Sequence, residues 1–132
     1  MAMKLRLAVV ALCLTLGTVD TALAHHSFAA EFDGNKPIRI QGVLSKIEWT
    51  NPHSWFYVDV KDDSGKVATW GCEGASPVAL SRQGFQKGAA KLGDPVVVDG
   101  YQAKDGSHIM NARRIYLNGK LIFEQKDGSQ GQ

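Results

Sequence analysis

Thiols are scarce in this chain. It has two cysteines, Cys13 and Cys72, too few for a cysteine-based structural zinc site, and no Cys-x-x-Cys-His run for covalent haem. Charge of one sign is also missing, since 15 Lys and Arg stand against 13 Asp and Glu. A balance that close steers neither nucleic acid nor an anionic lipid surface, so nucleic-acid partners are excluded. Long apolar runs are absent too. The one apolar stretch, residues 7–16, is too short to cross a bilayer, and no second one follows, so no membrane span is expected. There is no hydrolase pattern either: Ser76 and Ser81 have no base beside them, and Asp62-Asp63 lies in a turn sequence. The chain is expected not to be an enzyme.

The start of the chain has the composition of a leader. Lys4 and Arg6 precede the apolar run, and Ala22-Leu23-Ala24 supplies the small-x-small pattern read by signal peptidase, so residues 1–24 read as a secretory signal peptide. The mature protein is then expected in the periplasm or outside the cell, beginning at His25. Cys13 sits behind bulky Leu12, which argues against lipoprotein processing, and it leaves with the leader. Cys72 remains as a single thiol, so no internal disulfide forms, and a buried small hydrophobe is its expected role. Lys4, Arg6 and Asp20 also leave, which takes the net charge from +2 to +1. The remaining chain is one small domain, expected to be monomeric.

Periodicity then divides the mature chain. Residues 25–37 have no regular pattern and read as an extended arm pinned by Phe28 and Phe32. Residues 38–125 alternate like strands, and the polar, glycine-rich residues 126–132 read as a disordered tail. The first strand, 38–50, carries Ile38, Ile40 and Leu44 in one phase and Ile47 and Trp49 in the other. A phase change within one strand implies a bulge, and Gly42 is the expected place for it. Asn51-Pro52-His53 breaks the strand. The second strand, 54–60, puts Phe56, Val58 and Val60 on one face and Trp55, Tyr57 and Asp59 on the other. After a turn at 61–65, strand 66–73 carries Ala68, Trp70 and Cys72 in phase. Ser76-Pro77 has the form of a helix cap followed by proline at the first helical position, with Gly84 as the stop. Further strands follow around Val96–Gly100, at 109–117 and at 121–123, the last two joined by Asn118-Gly119, a strong hairpin signal. Three strands, a short helix and two or three more strands describe an all-β chain. The expected architecture is a five- or six-stranded OB-fold-like barrel, closed so that its edges are hidden.

All four histidines, His25, His26, His53 and His108, fall in the mature chain and outside strand centres. Cleavage after Ala24 gives His25 a free amine beside its ring, two nitrogens that are readily deprotonated near neutral pH. A third nitrogen from His53 or His108 would complete a planar set suited to Cu(II). His26 is the competing ligand, because His25-His26 can chelate through the amine, the intervening backbone nitrogen and the second ring. The alternative is four solvated loop histidines. Glu48 is close in sequence to His53, as an acid–base partner, as a carboxylate orienting the ring, or simply as a surface residue.

Trp55, Tyr57 and Trp70 form a second candidate, an outward aromatic face for a periplasmic protein partner or a small ligand. The plainer reading packs these rings beneath the arm or the C-terminal hairpin.

Three motifs, His25-His26-Ser27-Phe28, Glu48-Trp49-Thr50-Asn51-Pro52-His53 and Gly100-Tyr101-Gln102-Ala103-Lys104-Asp105-Gly106-Ser107, carry a resemblance. The chain resembles an uncharacterised family of small secreted proteins of Gram-negative bacteria, a domain of unknown function. The resemblance implies a periplasmic single domain and brings no activity. The mature-terminal histidine is similar, in that one residue, to the histidine brace of copper-resistance carriers and lytic polysaccharide monooxygenases. The reading reached from the residues is a small periplasmic protein that carries or buffers Cu(II), with a non-enzymatic interaction module as the alternative.

Overall fold

Strand β1 (Phe32–Glu48) is long enough to serve two neighbours, and the sheet is arranged around it. The computed structural model of the protein describes residues 28–126. The first part of β1 pairs with β4 (Pro95–Ala103), from Pro37↔Tyr101 to Val43↔Pro95. Its last part pairs with β2 (Trp55–Lys61), from Val43↔Asp59 to Glu48↔Trp55. The change of partner requires a bend, and the inward phase shifts from Leu44 to Ile47 as it happens.

The bulge that shifts the phase lies between Leu44 and Lys46, not at Gly42. Ser45 is the extra residue, and its hydroxyl donates to the Tyr57 carbonyl at 3.2 Å. Gly42 serves a different need. A Cβ there would lie 2.1 Å from the Asp59 carbonyl oxygen, so only glycine lets β1 pass this close to β2. The start of β1 also differs from expectation. The strand begins at Phe32, which pairs with Ala103 before a register shift that ends at Pro37. Residues 28–31 form one helical turn rather than an extended arm. Long-range pairing with β4 supplies the order that the local sequence does not signal.

The remaining elements follow their local chemistry. β2 and β3 (Val67–Glu73) form a hairpin whose turn is held by Asp62, with Oδ1 accepting from the Ser64 and Lys66 amides at 2.9 Å. Helix α1 (Pro77–Arg82) starts at the Ser76 cap, where the hydroxyl accepts from the Ala79 amide at 3.2 Å. β5 (Ile109–Leu117) turns into β6 (Lys120–Glu124) through Asn118 and Gly119, both with positive φ.

Sheet order is β3-β2-β1-β4-β5-β6, with antiparallel neighbours, and β3 also pairs with β5 in parallel. The second pairing closes a circuit through β1, β2, β3, β5 and β4. Inside it lie Leu44, Phe56, Val58, Cys72, Val96, Val98, Met110 and Ile115, all at most 2% exposed. Each large side chain there contributes roughly 1.5–3 kcal/mol of apolar burial. Leu80 of α1 and Phe85 belong to the same core, with Trp49 stacked on Phe85 at 5.5 Å.

Candidate functional site

The corner between β1 and β2 carries His53, and backbone bonds tie that corner to the end of β3. The Ser54 amide donates to the Ala75 carbonyl and the Gly74 amide to the Ser54 carbonyl, each at 2.8 Å. Thr50 closes the corner by donating its hydroxyl to the His53 carbonyl at 2.7 Å. This strapping holds His53 beside Glu73, the last residue of β3, and His53 Nδ1 lies 2.5 Å from Glu73 Oε1. The Glu73 side chain is mostly buried while that of His53 is about one-third exposed. The other carboxylate oxygen, Oε2, accepts from Asn111 Nδ2 at 3.4 Å. Asn111 faces Glu73 because β3 and β5 run in parallel with Glu73↔Asn111 in register. Its own Oδ1 is buried and has no hydrogen-bond partner among the described residues.

The electrostatics are set by this contact. The hydrogen bond to Glu73 raises the His53 pKa above its ordinary value, burial opposes the rise, and the charges of Glu73 and Glu31 add to it. The carboxylate occupies the Nδ1 side of the ring, which leaves Nε2 as the nitrogen outside this contact. An imidazole prepared in this way is suited to bind a metal through Nε2.

The described start of the chain reaches the same outer face. Phe28 packs on Phe32 with ring centroids 5.6 Å apart and meets Tyr101 edge-on at 5.9 Å. The Lys104 amide donates to the Glu31 carbonyl at 2.9 Å, and the Lys104 ammonium donates to the Ala29 carbonyl. Tyr101 is opposite Asn111 in the β4–β5 register, and Asn111 is opposite Glu73. Tyr101, on which Phe28 packs, is therefore two strand spacings from Glu73, roughly 10 Å across the sheet. His25 and His26 lie outside the described residues.

His108 belongs to different surroundings. Its exposed ring stacks on Trp70 with centroids 4.8 Å apart, and Trp70 packs against the core. Trp70 and Glu73 are three residues apart on β3 and so point to opposite faces, roughly 10 Å apart along the strand. The structure does not bring His53 and His108 together. Among the described residues, no three His, Cys, Asp or Glu side chains form a group that could hold a metal ion.

The aromatic residues separate by the same rule. Trp55 and Tyr57 share the outer face, whereas Trp70, opposite Val58 in the β2–β3 register, shares the inner one. Gly71 pairs with Tyr57 across the hairpin, and a Cβ there would be 3.6 Å from Tyr57 Cε1, 3.7 Å from Trp55 Cε3 and 2.9 Å from Ile109 Cδ1. The two rings and Ile109 thus fill the strip that glycine leaves, in the manner of cross-strand aromatic cover. Glu48 belongs to this group rather than to His53. It accepts from the Tyr57 hydroxyl at 3.0 Å and pairs with Lys46, which lowers its pKa, Lys46 being the larger cause.

Sequence reasoning therefore misses Glu73 and Asn111, the pair that holds His53. Glu73 carries no signal beyond outward phase at a strand end, and Asn111 is an ordinary strand residue. Only the parallel β3–β5 pairing puts them side by side. Cys72 is buried, as expected, and burial pushes its thiol up to about 12, so it stays protonated at neutral pH and is a poor metal ligand.

A family model described as a family of unknown function, DUF6152, matches residues 13–111. The chain belongs to the DUF6152 family. That span includes His25, His26, His53, Glu73, His108 and Asn111 of this DUF6152 chain. Among curated proteins, none matches it. Among its described residues, no helix is long and apolar enough to cross a membrane.

Proposed function

We propose that this protein is a small exported Cu(II)-binding protein of the periplasm, non-enzymatic, that carries or buffers the ion. His25 supplies the terminal amine and its ring, and His53 supplies the third nitrogen through Nε2. The observation that carries the reading is the His53–Glu73 contact, because a carboxylate on Nδ1 is the usual partner of a metal-ligating histidine. The anchoring of Phe28 on Tyr101 supports it further. Three residues of extended chain span about 10 Å at most, comparable to the two strand spacings that separate Tyr101 from Glu73. His108 has the weaker claim, since its ring is stacked on Trp70. The closed strand circuit agrees with an OB-fold-like barrel, whose rims commonly serve as binding surfaces.

Titration of correctly processed protein with Cu(II), followed by calorimetry and electron spin resonance, tests the reading. One equivalent bound through nitrogen donors is the expected result. A variant with one extra residue ahead of His25 should lose the site, and unchanged tight binding in it would remove the terminal amine from the proposal. The second reading, a non-enzymatic accessory module using the half-buried Trp55–Tyr57 strip, predicts indifference to copper. It also predicts a partner lost on Trp55→Ala without unfolding.

A further inference from the structure

We infer that Glu73 and Asn111 are positioning residues for His53, fixing which ring nitrogen carries the proton and so which one faces a ligand. The inference rests on the metal-binding reading only for its consequence, since the positioning itself is a property of the metal-free fold. Three contacts carry it. His53 Nδ1 is 2.5 Å from Glu73 Oε1, and Asn111 Nδ2 is 3.4 Å from Glu73 Oε2. Asn111 Oδ1 is meanwhile left buried with no partner among the described residues. An amide turned this way leaves its own acceptor without a partner while its donor serves the carboxylate. Turned the other way, it would set one oxygen against another. The carboxylate thus has one oxygen tied to β5 and the other aimed at the ring, and the ring can rotate or change tautomer only by giving up a charge-assisted bond.

The parallel β3–β5 pairing has a role beyond closing the sheet. Glu73↔Asn111 is the last pair of that short ladder, so the seam between the first and last parts of the chain is also what orders His53. Loosening the seam at this pair should loosen the ring.

The test needs no metal at first. Nitrogen-15 NMR of the His53 ring in metal-free protein, above the pH at which it titrates, should show the proton on Nδ1 and a bare Nε2. A ring protonated mainly on Nε2 would overturn the inference with no variant needed. Glu73→Ala should give mixed tautomers, and Asn111→Ala a smaller change in the same direction. Copper titration of the same variants should then show affinity falling about 10–100-fold for Glu73→Ala and about tenfold at most for Asn111→Ala. Should Glu73→Ala fail to fold, Asn111→Ala and the wild-type tautomer still decide the matter. Ordered tautomers without copper binding would sink the metal reading and leave the positioning intact. Tight copper binding with no response of tautomer or affinity to either variant would sink the positioning and leave the metal reading intact.

Discussion

The β3–β5 seam has two faces, and they are built on opposite principles. On the inner face Cys72 lies opposite Met110, both with no solvent exposure, and the neighbouring Trp70 stacks on His108. On the outer face Glu73 lies opposite Asn111 and holds His53. One residue of register separates an apolar contact from a polar chain of three side chains, because alternate residues of a strand point to opposite faces. The two histidines differ accordingly. His53 has an anionic partner that selects one ring nitrogen, whereas His108 has an aromatic partner that selects neither. Residue type proposes a ligand, but the partner on the second nitrogen is what distinguishes a prepared ring from an exposed one.

The largest effect should come from breaking the inner face. Met110→Ala deletes a fully buried side chain and should cost about 2–5 kcal/mol in urea unfolding. The His53 tautomer should stay unchanged below the transition. A loss under about 1 kcal/mol would mean that the core refills the space and the seam is not packed as described.

The next effect separates the two histidines. His53→Ala should weaken Cu(II) binding at least about tenfold, while His108→Ala should change it less than about twofold. His108→Ala should instead lower stability by about 1 kcal/mol or less, through loss of the stack on Trp70. The reverse order of copper effects would transfer the proposed ligand role to His108.

The outer pair also has a pH signature, and its sign is set by the direction of the shift. The folded pKa of His53 lies above its unfolded value, so the pair stabilises the fold fully below the unfolded pKa of about 6.5. That contribution fades as pH rises through the higher folded pKa. The difference in melting temperature between the wild type and His53→Gln should therefore shrink from pH 5.5 to pH 8.5. A difference that grows over the same interval would contradict the assignment.

Inner-face burial predicts a quiet thiol. Cys72, with its pKa pushed up to about 12, should react with a disulfide reagent at pH 8 only as fast as the protein opens. The smallest expected effect is Gly71→Ala on the outer face. The added methyl meets Ile109 Cδ1 at 2.9 Å, the tip of a flexible side chain, and the cost should stay below about 1 kcal/mol. Gly100→Ala is the sharper control. Its methyl would meet the Asn111 carbonyl oxygen at 2.0 Å, which backbone cannot easily yield, and about 3 kcal/mol or more is expected.

How much of the fold and the site is legible in the chain depends on the range of the physics involved. The cap at Ser76-Pro77 and the turn at Asn118-Gly119 are readable because each is completed by residues a few positions away. The alternation of Phe56 and Val58 against Trp55 and Tyr57 is readable for the same reason. The bulge is expected at Gly42 and found at Ser45, because a phase change shows that an extra residue exists but not which one it is. Gly42 instead answers to the Asp59 carbonyl, 17 positions away. Glu48 stands close in sequence to His53, yet its place on the outer face of β1 gives it to Tyr57 and Lys46.

By itself the sequence determined an all-β chain with one short helix between its third and fourth strands, a buried thiol, and a histidine at a corner. Those are matters of local alternation, caps and turn chemistry. Which carboxylate meets that histidine, and that an asparagine 38 positions further along holds the carboxylate in turn, was decided only when β3 and β5 paired. Parallel register between distant strands is fixed by how the whole core packs, and no short stretch of residues encodes it.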